Sequence, residues 1–290
     1  MRRYPAREVE HTFGGSPLRI VLADPVAAGW YDTDWPELPE IAVLRRHRLR
    51  PGARVFNLGA HQCIVAAMLA REVGRAGQVV AVEAEPFHVQ VAQRNRDLNN
   101  LHQLTLVWAA AGEEVRSGAA GNPRTAFERD LLCDWRSKRV RSTTVDDLAQ
   151  EFGPPDVLFI DVDGYECQVL RGARRTLPSV PDCFVEVHVG VGLERLGGSV
   201  GDVLSFFPQD RYELRIASEE QREFVPFSPD SSLMAARFFL IAVARADRAA
   251  TGEATSASGH DAAMPAESML RRAISGGPQG RGAPPGGKRR

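Results

Sequence analysis

Between Arg54 and Ala246, short apolar runs alternate with longer stretches of helical period, and this alternation restricts the fold more than any other feature. Such runs suit strands covered on both faces, and their alternation with helices builds βα units around a mostly parallel sheet. Arg54 to Leu58, Gln78 to Glu83, Leu104 to Trp108, Val157 to Val162 and Cys183 to His188 read as strands. Ile64 to Val73, Pro86 to Leu98, Thr144 to Phe152 and Glu166 to Leu177 read as the helices between them. Pro86 starts its helix where a missing N–H costs nothing. Thr144 with Asp146 and Asp147 marks a helix N-terminus, and Gly153-Pro154-Pro155 ends that helix. Arg211 to Ile216 and Ala236 to Ala244 leave little room for a crossover helix, so the last strands should pair antiparallel. The expected fold is α/β: a doubly wound, Rossmann-like, mostly parallel seven-stranded sheet with an antiparallel last strand.

At 290 residues, 43% apolar and 25% charged, the chain can bury one sizeable core. Residues 51–246 form the expected catalytic domain, residues 1–50 a segment capping its site, and residues 111–142 an irregular insert. Residues 247–290, rich in Ala, Gly, Ser and Pro, read as a disordered tail with a transient helix from Ala266 to Ile274. A net charge of -1 argues against a nucleic-acid partner recruited by overall charge. The absence of any apolar run of about 20 residues argues against a membrane span. Cys63, Cys133, Cys167 and Cys183 show no zinc-ligand spacing, and reduced thiols with no apolar leader after Met1 suit the cytoplasm.

Four strand ends carry the chemistry. Val55-Phe56-Asn57-Leu58-Gly59-Ala60-His61 is a strand running through a Gly turn into a helix, where backbone can approach a ligand or simply pack closely. Glu83 ends the next strand, where a carboxylate can accept hydrogen bonds from both ribose hydroxyls of a nucleoside or can offset a helix dipole. Ile160-Asp161-Val162-Asp163-Gly164 sends two carboxylates to one side of its strand, as proton acceptors, polar anchors or a helix cap. His188 ends the fourth strand, where a neutral imidazole can deprotonate a hydroxyl. Two carboxylates could hold a magnesium ion, but no further ligands are in view and no metal is assigned.

Taken together, these residues resemble the FkbM family of S-adenosylmethionine-dependent methyltransferases. The most specific part is Ser142-Thr143-Thr144-Val145-Asp146-Asp147-Leu148, then Ile160-Asp161-Val162-Asp163-Gly164-Tyr165-Glu166 and Val169-Leu170-Arg171-Gly172-Ala173, with Leu98-Asn99 and Glu186-Val187-His188 as support. The resemblance implies a class I methyltransferase fold and transfer of a methyl group from S-adenosylmethionine to a hydroxyl of a small molecule, sugar or natural product. It implies a donor site at Asn57, Gly59, Ala60, His61, Glu83 and Ala84, with Asp161 near the donor's methionine end. His188, Asp161 and Asp163 are the candidate catalytic residues, and Trp30, Tyr31 and Trp35 could stack on an acceptor ring. The family usually has Asp at Asn57, Gly at Cys63 and often Lys at Phe159, and Cys63 is expected to crowd the loop. Nicotinamide binding would require GxGxxG where the chain has Gly59-Ala60-His61-Gln62-Cys63-Ile64. The remaining alternative is a catalytically impaired binding module of the same fold.

Overall fold

A hairpin opens the described part of the chain in the computed structural model. Strands β1 (Arg7–Phe13) and β2 (Ser16–Leu22) pair antiparallel around Gly14 and Gly15, both at positive φ as a two-residue hairpin turn requires. Helix α1 (Pro25–Tyr31) starts at Asp24, whose side chain accepts from Ala27 N at 2.7 Å, and α2 (Pro39–Arg45) follows. The structure describes residues 4–115, 140–179, 181–221 and 223–245, all within one unit, Met1–Ala246. Most of the expected insert, Cys133, the tail and its helix lie outside the described residues.

The main sheet is built as the apolar runs predict. Strands β3 (Arg54–Leu58), β4 (Gln78–Glu83) and β5 (Leu104–Trp108) alternate with α3 (Ile64–Val73) and α4 (Pro86–Leu98). Short pieces β6 (Ala110–Ala111) and β7 (Ser142–Thr143) pair beside them, and α5 (Val145–Phe152) leads into β8 (Val157–Ile160). Helix α6 (Glu166–Arg171), β9 (Asp182–Val187), α7 (Val200–Ser205), β10 (Tyr212–Ser218), β11 (Val225–Pro226) and β12 (Phe238–Ala244) complete the order.

Spatially the sheet runs β11-β10-β12-β9-β8-β3-β4-β5. Strands β3, β4, β5, β8 and β9 are parallel, whereas β12 lies antiparallel between β9 and β10. The expected seven strands are present, with the two-residue β11 added at one edge. From central β3 the chain winds outward through β4 and β5, then returns to β8 on the other side. The carboxyl ends of β3 and β8 therefore flank a topological switch point, the usual place for a crevice. Alternate strand residues feed two cores, Val55, Val79, Val157 and Phe184 on one face and Phe56, Val80, Leu158 and Val185 on the other. Among the described residues, no helix is long and apolar enough to cross a membrane.

Several boundaries differ from expectation. Strand β8 stops at Ile160, so Asp161 and Asp163 lie on the following turn, where Asp163 and Gly164 take positive φ, and not side by side on a strand face. Helix α6 ends at Arg171 rather than Leu177, and its C-cap Gly172 packs where a Cβ would meet Gly112 O at 2.1 Å. Strand β9 sits one residue earlier than read, and β10 runs two residues beyond Ile216.

The hairpin was not legible, yet it is fastened to the main sheet's helices in an ordered way. Amides of Arg19, Val21 and Ala23, alternate residues on and just beyond β2, donate to Asn99 Oδ1 at 3.0 Å, Asn95 Oδ1 at 2.6 Å and Gln62 Oε1 at 3.2 Å. Side-chain amides thus satisfy a strand edge that no further strand pairs. Asn95 is fully buried and also donates from Nδ2 to Gln62 O at 2.8 Å. Replacing it (Asn95→Ala) strands a buried N–H and a buried C=O, so urea denaturation should show a loss of about 2–4 kcal/mol. A loss below about 1 kcal/mol would mean that water replaces the amide.

Candidate functional site

A cavity of about 550 Å³ opens at the carboxyl ends of β3, β4, β8 and β9. Its floor is aromatic. Phe159, Phe184 and Phe239 come from the neighbouring strands β8, β9 and β12, with ring centroids 4.2 Å apart for the first pair and 5.8 Å for the second. Phe159 stands where the family pattern often has Lys, so the floor is apolar. Trp30, Tyr31, Trp35 and Leu38 from the N-terminal segment supply a further wall.

At one end stands Glu83, at the tip of β4. Its Oε2 accepts from His61 N and its Oε1 from Glu85 N, each at 2.7 Å, which fixes the carboxylate with lone pairs still facing the cavity. His88 Nδ1 lies 3.6 Å from Oε1. On the far side of the two imidazoles, Asp24 Oδ2 is 3.2 Å from His61 Nε2 and 3.4 Å from His88 Nε2, and it also accepts from Gln62 Nε2. Burial would raise the Asp24 pKa, but donors from His61 and Ala27 and the charge of His88 hold it well below the usual carboxylate range. Burial would lower that of His88, yet its bond to Glu83 and the nearby carboxylates Glu83, Asp24 and Glu85 raise it. Asp24 therefore ties the start of α1 to the loop that carries the Glu83 contact.

Gly59 takes φ +84°, and a Cβ there would sit 1.7 Å from the Asp161 carbonyl oxygen. Its glycine requirement arises from the close approach of the two strand ends, and its backbone lines the cavity as a consequence. Cys63 also sits at positive φ (61°), the region glycine favours. Contrary to expectation it does not crowd the cavity: the thiol is buried in the core beneath α3, and burial pushes its pKa up, which makes it inert.

Around His188 the other end is strongly charged. The ring is buried, with Nδ1 2.6 Å from Oε1 of the fully buried Glu166. Its Nε2 lies 3.5 Å from Asp163 Oδ1, 3.5 Å from Glu186 Oε1 and 3.8 Å from Asp161 Oδ1. Burial alone would lower the imidazole pKa, but the bond to Glu166 and the charges of Glu166, Glu186 and Asp161 lift it to about 9. The surrounding carboxylates favour the protonated ring, which acts as a donor and counter-charge until a cation replaces its Nε2 proton. Withdrawal from bulk water and the charge of Glu186 push Asp161 well above the carboxylate range, against the pull of His188. Arg237 Nη1 reaches Glu186 Oε1 at 3.3 Å while its other nitrogens bind Glu219.

Gly59, His61, Glu83, Ala84, Asp161, Asp163 and His188 all line the one cavity. Asn57 and Ala60 do not. Both are buried behind the wall, and Asn57 Oδ1 lacks a hydrogen-bond partner there. Two lining cations, Arg195 and Arg237, escaped the sequence reading. Arg237 had a signal: an antiparallel β12 between β9 and β10 brings its first residues beside the carboxyl end of β9, with Phe238 opposite Val187. Arg195 lies in an irregular turn and offered none.

The family model described as a methyltransferase FkbM domain matches residues 57–214, more than half of the chain. The hexuronic acid methyltransferase AglP of Haloferax volcanii is 26% identical over 137 residues, a match covering 47% of this chain and 54% of that protein. The chain thus spans about half the length of that curated relative. Similar solved structures include a methyltransferase FkbM from Methylobacillus flagellatus, 19% identical with a TM-score of 0.43, covering 66% of this chain and 43% of that one. Another is an S-adenosylmethionine-dependent O-methyltransferase from Thermotoga maritima, 14% identical with a TM-score of 0.42, covering 84% of this chain and 80% of that one. On the family match over residues 57–214, the chain belongs to the FkbM-domain methyltransferases.

Proposed function

We propose that this chain transfers a methyl group from S-adenosylmethionine to a hydroxyl oxygen of a sugar-like acceptor, and that the acceptor carries an acidic group. The observation that carries the reading is the presence of Glu83 and Asp161, from strand ends on the two sides of the switch point, in one cavity. The residues present suit the donor. A carboxylate fixed by two backbone amides matches a ribose diol, and the acidic lining of Glu83, Asp161, Asp163 and Glu186 suits a ligand bearing sulfonium and ammonium charges. When bound, the donor supplies an electrophilic methyl carbon on a positively charged sulfur.

The chain's own contribution is mainly alignment. Glu83 holds the nucleoside end, with Gly59, His61 and Ala84 as the adjoining backbone wall. Asp161, with its raised pKa, accepts the hydroxyl proton, and His188 stands 3.8 Å away as its counter-charge. Asp163 offers a second acceptor at the mouth of the cavity. Because the Cys63 side chain is buried away from the cavity, the loop is open to a ligand, which favours the catalytic reading over a binding module.

For the acceptor, the aromatic wall of Trp30, Tyr31 and Trp35 suits a sugar ring. Arg195 has no acidic partner among the described residues and suits a carboxylate. The relative named as a hexuronic acid methyltransferase supports the same acceptor class.

Calorimetric titration should give micromolar binding of S-adenosylmethionine and its demethylated product, and none of NADH. Glu83→Ala should weaken the donor at least about 100-fold, through two charge-assisted hydrogen bonds at about 1.5–3 kcal/mol each. Unchanged affinity would remove Glu83 from the site. Asp161→Asn and His188→Ala should each lower kcat by about 10²–10⁴-fold, with donor affinity held in His188→Ala, as loss of proton transfer does. Full rates in both variants would defeat these assignments. In an acceptor screen, uronic acids should outperform the matching neutral sugars, and Arg195→Gln should erase that preference. Equal use of both by the unaltered protein would refute the acidic-acceptor reading.

A further inference from the structure

Around His188, three side chains stand at a spacing that suits ligands about a common centre. One oxygen of Asp161, one of Glu186 and Nε2 of His188 all lie within 4.8 Å of one another. The nitrogen stands 3.5 and 3.8 Å from those oxygens, at or beyond the limit for a hydrogen bond. Ligands held at about 2.0–2.2 Å from one ion are separated by roughly 3.0–3.5 Å, slightly less than these gaps. The opposite ring nitrogen, in contrast, makes a 2.6 Å bond to Glu166, which also accepts from Gly164 N at 2.9 Å. A buried carboxylate on the outer nitrogen, orienting the inner one toward an open position, is the outer-shell arrangement of metal-bound histidines.

The local charge points the same way. Glu166 is fully buried, and its Oε2 has no hydrogen-bond partner. Asp161, Asp163, Glu166 and Glu186 pair with His188, and Arg237 is shared between Glu186 and Glu219, so five carboxylates share these two cations. The other trio with ligand spacing, Asp24, His61 and His88, is different, because Asp24 already accepts from Ala27 N and Gln62 Nε2.

We propose that Asp161, Glu186 and His188 bind a divalent metal ion at the end of the cavity where the acceptor hydroxyl sits. An imidazole with two carboxylates suits a first-row ion such as Mn²⁺ better than Mg²⁺ or Ca²⁺, which take oxygen ligands. The role given to the ion rests on the methyl-transfer reading. With the ion bound, Asp161 serves as a ligand in place of a base: the ion takes the acceptor hydroxyl oxygen as a further ligand and lowers its pKa, and the proton leaves to Asp163 or to water. The oxygen lone pair then bonds to the methyl carbon as the carbon–sulfur bond breaks, with its electron pair left on sulfur. The sequence reading considered a metal only at the two carboxylates of Asp161 and Asp163, and the fold sets Glu186 and His188 of the neighbouring strand end beside Asp161.

Titration of the full chain with Mn²⁺ alone, followed by the electron paramagnetic resonance of the free ion, tests this without donor or acceptor. One site of micromolar affinity is expected, weakened at least tenfold by Asp161→Asn and by Glu186→Gln, with Asp24→Asn unchanged. Nitrogen modulation of the bound Mn²⁺ signal should disappear in His188→Gln. No binding tighter than millimolar by the folded wild-type chain would overturn the proposal, as would binding undiminished by both carboxylate substitutions. Calorimetry with the demethylated donor in the absence of metal judges the methyl-transfer reading separately.

Discussion

Two strand ends touch where β3 turns into α3, and the site depends on that contact. Gly59 and the carbonyl of Asp161 are so close that a single added carbon would fall 1.7 Å from the oxygen. Asp161 N also donates to Leu58 O at 3.0 Å, so the first residue beyond β8 remains stitched to the end of β3. Because the two turns leave their strands at one level, Glu83 from the adjacent β4 and His188 from the adjacent β9 open onto the same cavity. A larger residue at 59 would part the turns before it altered any ligand contact.

Around this junction the rest of the protein closes the cavity in layers. The hairpin and α1 are held by buried amides on α4 and by Asp24 with the two histidines beside Glu83, so that Trp30, Tyr31 and Trp35 stand over the strand ends. Antiparallel β12 performs the corresponding task on the other side. Its reversed direction places Arg237 and Phe239 at the carboxyl edge of the sheet, where a parallel strand would have presented its far end. The result is a cavity with one fixed carboxylate at one end and a cluster of carboxylates around an imidazole at the other.

Local sequence sufficed where one segment decides its own fate. The runs 54–58, 78–83 and 104–108 are apolar on both faces and bounded by Gly, Pro or polar turns, and the structure reproduces their limits, as it does those of α3 and α4. The hairpin was missed because β1 has mostly exposed or half-buried charged residues, although Gly14-Gly15 between Phe13 and Leu18 is a turn signal. At the site, Glu83, Asp161 and His188 could be read as strand-end residues. Their electrical setting could not. The fully buried Glu166, which raises the pKa of His188, and Arg237, which pairs with Glu186, arrive from a neighbouring helix and from the start of a strand far along the chain. Cys63 shows the converse: a residue suspected of blocking a loop turns its side chain into the core, a direction set by φ and not by residue type.

The central claim is that a nucleoside donor lies along this cavity with its sugar at Glu83 and its reacting end at Asp161 and His188. A crystal structure of the chain with S-adenosylhomocysteine tests it most directly. The account predicts ribose hydroxyls on the Glu83 carboxylate and the sulfur turned toward Asp161, above the floor formed by Phe159 and Phe184. A nucleoside bound away from Glu83, or a cavity that stays empty at saturating ligand, would contradict it.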